Sequence, residues 1–278
     1  MFQALKQLFA RGEDEPLPSI PDGPRVYAVG DIHGRLDLFE ALVAAIEADD
    51  AARAPAETLI VLLGDLVDRG DDSRGVIEFA RDLQRRRPVR ILAGNHEEMF
   101  LRSLSDIETF RHFIRHGGRE TLLSYGINHG QFQAASMEEA QQLASEAVPA
   151  DHLAFLESFE DMIQLGDYLF VHAGIDPRLP IDQQRSRDLR WIREPFLSHE
   201  GSHGVVVVHG HTICDEPEDC GNRIGIDTGA FMSGRLTALI LEGTARCYLE
   251  AAEEDGRVGT RYSPPESSPH IAELWSSK

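Results

Sequence analysis

The chain predicts an α/β fold organised around parallel strands, and three observations carry that expectation. Apolar runs of strand length, Val26-Tyr27-Ala28-Val29, Thr58-Leu59-Ile60-Val61-Leu62-Leu63 and Val89-Arg90-Ile91-Leu92-Ala93, are separated by stretches whose apolar residues recur at helical spacing. Strand and helix in alternation imply parallel pairing through right-handed crossovers, with helices on both faces of the sheet. Each run also ends in glycine and metal-capable side chains: Gly30-Asp31-Ile32-His33-Gly34, Gly64-Asp65-Leu66-Val67-Asp68-Arg69-Gly70 and Gly94-Asn95-His96-Glu97. A single aspartate of this kind reads as a cap or turn former. Three such strand ends, where open α/β sheets place their ligands, read as one site.

In chain order, residues 1–24 are expected to form an arm. The first eleven have apolar residues at helical spacing but lack the continuous core of a signal peptide. Residues 12–24, with four prolines, read as a linker crossing the surface. The fold starts near Arg25. Leu36, Phe39, Leu42, Val43 and Ile46 mark a helix face over 35–48, and Val76, Ile77, Phe79, Ala80 and Leu83 a second over 74–87. From about 98 to 163 the pattern is helical without strands, at 107–114, 120–125 and 137–159, and reads as an insertion beside the site. Short strands return at 167–171, 204–208, 223–226, 236–241 and 246–250, spaced as in a second, more antiparallel sheet. One domain over 25–252 is expected, followed by a loosely ordered tail over 253–278, acidic and then rich in Ser and Pro.

Lys plus Arg total 27 against 47 Asp plus Glu, a formal charge of −20. That balance argues against partners such as nucleic acid or an anionic membrane surface. An anionic substrate then needs a local positive centre, and a metal supplies one. The three cysteines, Cys214, Cys220 and Cys247, are an odd number that suits a reducing compartment. No run approaches the roughly 20 apolar residues of a membrane span. Cytoplasmic location is expected.

The later strands also end in metal-capable residues, at Phe170-Val171-His172-Ala173-Gly174 and Val208-His209-Gly210-His211-Thr212. Adding them gives Asp31, His33, Asp65, Asn95, His172 and His211, an oxygen and nitrogen set too large for one ion. Two divalent metals sharing a bridging carboxylate fit it, and the ligand types suit manganese, iron or zinc. Asp31 and His33, two apart, can approach one ion if their loop stays extended. Two metals roughly 4 Å apart can hold a hydroxide between them and stabilise in-line phosphoryl displacement.

These motifs, in this order over roughly residues 25–245, resemble those of the phosphoprotein phosphatase family of calcineurin-like metallophosphoesterases, especially its small bacterial and phage members. The resemblance implies a β-sandwich of two mixed sheets flanked by helices, with a helical insertion. It implies Asp31, His33 and Asp65 on the first metal, and Asp65, Asn95, His172 and His211 on the second. It implies His96 as proton donor to the leaving group, with Asp68 orienting it. Arg69 and Arg193 would hold phosphate oxygens, Arg190 and Arg187 being alternatives to Arg193. Asp227-Thr228-Gly229-Ala230 resembles a structural strand end.

The expected activity is metal-dependent hydrolysis of phosphomonoesters, phosphoserine or phosphothreonine in proteins, phosphotyrosine, or small molecules. The alternative is symmetrical diadenosine polyphosphate or phosphodiester hydrolysis at the same site, and a non-catalytic metal-binding scaffold is a third reading. Ala93 stands where many protein phosphatases of the family carry arginine, a departure shared with diadenosine tetraphosphatases, whereas Asp68 is an acid those hydrolases usually lack.

His209 could ligate in place of His211, since both lie on one side of a strand; the family motif favours His211. The remaining histidines, His112, His116, His129, His152, His199, His203 and His270, read as surface or core residues. Glu97 and Glu98 read as first-turn acids of the following helix. Arg111, Arg115 and Arg119 read as a solvated helix face, with a basic rim at the site entrance as the alternative.

Overall fold

A computed structural model describes residues 17–21 and 23–263. Residues 1–16 of the expected arm, residues 264–278 of the expected tail and with them His270 lie outside those residues. The strands are β1 (Pro24–Val29), β2 (Glu57–Leu62), β3 (Val89–Ile91), β4 (Met162–Leu165), β5 (Tyr168–Val171), β6 (Val206–His209), β7 (Glu218–Asp219), β8 (Arg223–Gly225), β9 (Arg235–Glu242), β10 (Ala245–Glu254) and β11 (Arg257–Ser263). They form two mixed sheets, ordered β11-β10-β9-β1-β2-β3 and β4-β5-β6-β8-β7. The first three strands pair parallel, as their alternation with α1 (Leu36–Ala52) and α2 (Ser73–Arg86) demands.

Side chains alternate across β1 and β2. Tyr27, Val29, Ile60 and Leu62 pack under Phe39, Leu42, Ile46, Ile77 and Leu83 of the two helices. Val26, Ala28, Val61 and Leu63 face Phe170, Val208 and Ile224 of the second sheet. Each fully buried Val, Leu, Ile or Phe of this set contributes roughly 1.5–3 kcal/mol. The expectation of helices on both faces of the first sheet is therefore corrected: one face carries helices and the other carries the second sheet. A strand buried on both faces reads the same in sequence whichever element covers it.

Three further corrections follow. The second sheet is not mainly antiparallel, since β5, β6 and β8 run parallel and only its edges, β4 and β7, are reversed. β9 and β10 join the first sheet, β9 lying antiparallel to β1. Residues 253–263, expected as loose tail, complete β10 and form β11, joined by a two-residue Asp255-Gly256 turn with both φ positive. That is the Asp-Gly hairpin signal, masked in sequence by the acidic run around it.

The insertion opens with α3 (Asn95–Ser103) and continues through α4 (Ile107–Phe113), a π turn at Ile114–Gly118, α5 (Arg119–Ser124), α6 (His129–Ala134), α7 (Met137–Ala147) and α8 (Ala150–Glu157). Pro149 divides what periodicity reads as one helix over 137–159. Of the arm, Ser19 donates to the Asp167 carboxylate and Ile20 N–H to Gly243, which lays these residues against both sheets. Among the described residues no helix is long and apolar enough to cross a membrane, and all three cysteines are unpaired.

Candidate metal centre

The carboxyl ends of β1, β2, β3, β5, β6 and β8 converge, and the residues just beyond them meet. The β1 and β2 loops are laced by backbone bonds, Ile32 and His33 N–H to Asp65 O at 3.1 and 2.8 Å and Gly34 N–H to Leu66 O at 2.9 Å. The loops take sparsely populated conformations to do this: His33, Asp65, Asp68, Arg69 and His211 all have positive φ. The only other such non-glycine residue described is Asp255 in its hairpin, so the strain is concentrated at this site. The extended loop assumed for Asp31 and His33 is replaced by a left-handed turn at His33.

Asp65 is the hub. Its Oδ2 lies 3.5 Å from His33 Nε2 and its Oδ1 3.4 Å from His172 Nε2. Two sets, His33 with Asp65 and His96, and Asp65 with His172 and His211, bring their ligand-capable atoms within 4.8 Å of one another and share that carboxylate. Asn95 Oδ1 is 3.0 Å from His172 Nε2. Asp31 Oδ2 accepts the His211 N–H at 3.0 Å. Gly94 and Gly210 are required by close approach, since a Cβ at either would strike an oxygen, Asp65 Oδ1 or Asp31 Oδ1.

The donor set fits divalent cations. Asp31 Oδ1 and His211 Nε2 are buried polar atoms without a hydrogen-bond partner, a costly state that a metal would relieve. His33 Nδ1 is 2.8 Å from Val67 O and His172 Nδ1 2.8 Å from Leu63 O, so each Nδ1 carries the proton and each Nε2 turns a lone pair toward Asp65. Burial holds His33 and His172 neutral and pushes His211 down to about 3, the form in which imidazole binds metal. Burial, with Asp227 and Asp65 nearby, raises Asp31 well above the ordinary carboxylate range, and burial raises Asp227 to about 6.

His96 differs. It belongs to the first of those sets, but its Nδ1 is committed to Asp68 Oδ2 at 2.6 Å. Burial alone would lower its pKa; the charge of Asp65 and the bond to Asp68 outweigh that and raise it. Arg69 reaches both rings, its Nη atoms 2.9 Å from His33 Nε2 and from His96 Nε2. Its guanidinium carbon sits 4.6 Å from the centre of the Phe231 ring.

Arg193 is exposed and reaches the His211 carbonyl at 3.3 Å. Its alternative Arg190 is tied to Asp161 and Glu98. His209 points elsewhere, its Nδ1 3.0 Å from Gly210 O and its ring against Phe196. Ala93 is buried, its N–H bonded to Glu160 O. Arg111 pairs with Glu108 and with Glu138 of α7, and Arg119 with Glu120, so two of the three arginines of that stretch face acids. Among the remaining histidines, His152 is buried against the Tyr125 hydroxyl.

Three residues at the site go beyond the sequence reading. Glu97 accepts the N–H groups of Asp65, Leu66, Val67 and Gly94, so it braces the hub rather than merely facing a helix dipole. Its position three residues after Gly94, a capping-box spacing, was the available signal. Thr121 reaches Asp68 from the insertion, and Phe231 stands beside Arg69 and His33. No local pattern marks either one. Asp227 lies against Asp31, closer to the cluster than a structural strand end implies.

Known proteins similar to this chain share its family and fold. The calcineurin-like phosphoesterase profile matches residues 24–228. The serine/threonine-protein phosphatase 1 of Salmonella typhimurium is 28% identical over 218 residues, 76% of this chain and 89% of that protein. The asymmetrical bis(5'-nucleosyl)-tetraphosphatase PrpE of Anoxybacillus flavithermus is 24% identical over 231 residues, 76% of this chain and 88% of that protein. A solved structure of a candidate diadenosine tetraphosphatase superposes with TM-score 0.57 at 20% identity, covering 88% of this chain and 98% of its own, which is a likeness of fold. By motif order, sheet topology and profile alike, the chain belongs to the calcineurin-like phosphoesterase family, a family of metal-dependent phosphoester hydrolases.

Proposed function

We propose that this protein is a phosphomonoesterase acting on phosphoserine, phosphothreonine or related esters of poor leaving groups. Asp31, His33 and Asp65 would hold one divalent cation, and Asp65, Asn95, His172 and His211 the other, with manganese, iron and zinc all compatible with these ligands. Bound there, the pair would neutralise phosphoryl oxygens and lower the pKa of a water for attack. The observation that carries the reading is the 2.6 Å contact of His96 Nδ1 with buried Asp68 Oδ2, which turns His96 Nε2 toward the cluster.

An alkoxide leaves poorly unless protonated, and an imidazole oriented by a carboxylate supplies that proton. Asp68 accepts from Nδ1–H and fixes the ring, so Nε2 is the atom that serves the leaving oxygen. Arg69 lies against Nε2 of both His33 and His96. An incoming phosphoryl group offers that guanidinium a bidentate anionic partner. Turning to it would release both ring nitrogens. Arg193, exposed and within reach of the His211 carbonyl, would bind a second pair of oxygens.

Hydrolysis of dinucleoside polyphosphates is the second reading, supported by the tetraphosphatase names of several relatives and by Ala93. A phosphate leaving group has a low pKa and needs little protonation, so it would not require the His96–Asp68 pair. The test is turnover of p-nitrophenyl phosphate, its bis ester, a phosphothreonine peptide and diadenosine tetraphosphate by metal-stripped protein resupplied with manganese, with bound metal counted. Two metals per chain with turnover of the monoester and peptide are expected. Preference for the dinucleotide would transfer the assignment to the second reading.

A further inference from the structure

Asp68 has no exposed surface, and its hydrogen bonds come from three separate parts of the chain. Its Oδ2 faces His96. Its Oδ1 accepts from Thr121 Oγ1 at 2.6 Å, and its backbone N–H donates to Thr121 Oγ1 and Ser73 Oγ, both at 2.9 Å. Ser73 and Thr121 lie 2.9 Å apart and are equally buried. The protons of this triangle can be counted. An ionised carboxylate only accepts, so the single O–H of Thr121 goes to Asp68. Ser73 is then the donor in the Ser73–Thr121 contact, and the two lone pairs of Thr121 take the Ser73 O–H and the Asp68 N–H.

Thr121 lies on α5, in the helical insertion, 53 residues from Asp68. The turn just before it holds the next residue of the same loop: Arg69 N–H donates to Gly117 O at 3.0 Å. Gly117 has φ +104, and a Cβ there would meet Arg69 N and Cγ at 2.6 Å. Asp68 and Arg69 have φ of 74 and 72, sparsely populated conformations for residues other than glycine that persist only when held from outside. The insertion does the holding.

We propose that Thr121 is a positioning residue for proton donation: by tying Asp68 Oδ1 it stops the carboxylate turning and keeps Oδ2 on His96 Nδ1. The helical insertion is on this account a working part of the reaction. The inference rests on the reading of His96 as the proton donor. A purely architectural hydroxyl would behave differently, since its loss would depress turnover of every substrate alike.

The experiment compares Thr121→Val, which keeps the shape and removes the hydroxyl, with Thr121→Ser, which keeps the hydroxyl. Metal-loaded proteins are assayed on phosphate esters whose leaving groups run from dinitrophenol through phenol to the serine hydroxyl. Thr121→Val is expected to stay within about threefold on the dinitrophenyl ester and to lose about tenfold or more on phosphoserine, with Thr121→Ser close to the parent. In a His96→Asn background, Thr121→Val is expected to add less than about threefold. Where valine is not tolerated, Thr121→Cys, whose thiol is a weak donor, gives the same comparison. An equal fall on all esters, or no fall, overturns the proposal. Should His96→Asn itself leave the leaving-group dependence unchanged, the proton-donor reading fails and this inference with it. A change for His96→Asn without one for Thr121→Val overturns this inference alone.

Discussion

Glu97 Oε2 accepts the backbone N–H of Asp65 at 2.9 Å, so the carboxylate shared by both halves of the cluster is set from the first turn of the helix that carries Asn95 and His96. The same side chain takes Leu66 and Gly94 N–H at 2.7 and 2.9 Å and is fully enclosed. A carboxylate can accept all of these bonds, whereas an amide presents a donor to some of them. Glu97→Gln is therefore expected to fold but to lose about 10- to 100-fold in metal affinity, measured by metal titration of the stripped protein. Unchanged affinity would remove Glu97 from any role at the centre.

Asp65 is the one ligand common to both sets. Asp65→Asn is expected to lose both metals rather than one, counted by elemental analysis after dialysis, and to lose turnover with them. Retention of one tightly bound ion would show that the two halves are independent.

His96 touches the centre through Asp65 but is committed to Asp68. His96→Asn is expected to keep two metals and to lose about 10²- to 10³-fold in turnover of phosphoserine, with a smaller loss on p-nitrophenyl phosphate. Equal losses on both esters would point to metal binding instead of proton transfer.

Away from the site, Arg25 is buried at the start of β1 and bonds Asp50, Glu242 and the Ala54 carbonyl. The Arg25 bond holds Glu242 below the ordinary carboxylate range; Asp50 is also lowered, its bonds to Thr58, Arg25 and Arg87 outweighing burial. A depressed carboxylate contributes stability above its unfolded pKa, about 4, and loses it as pH falls through the lower folded value. Arg25→Met is expected to cost about 2–3 kcal/mol at pH 7, held to that range because Glu242 is partly exposed to screening solvent. The difference from the parent, read by urea unfolding, should shrink below pH 4. A gap that stays constant with pH would mean that packing, not charge, is what Arg25 supplies.

The sequence carries the topology of the first three strands because it is local. Tyr27 and Val29 on one side of β1 and Val26 and Ala28 on the other mark a strand buried on both faces, and the apolar faces of α1 and α2 oblige a parallel crossover. The ends of those strands were equally legible, since glycine next to Asp, Asn or His leaves few other uses for the pattern at that place. What covers a buried strand is not local. The second sheet, rather than helices, lies against Val26 and Val61, and β9 slots beside β1 from more than 200 residues away.

The same division runs through the site. Asp31, His33, Asp65, Asn95, His96, His172 and His211 could be named from spacing and resemblance, because each must sit at a strand end. The braces could not: Glu97 reaching back to Asp65, Thr121 reaching 53 residues to Asp68, and Phe231 lying under Arg69. A strand end is written in neighbouring residues, whereas a buried hydrogen bond between distant segments depends on how layers pack, and only the tertiary structure decides which polar atoms are left for one another.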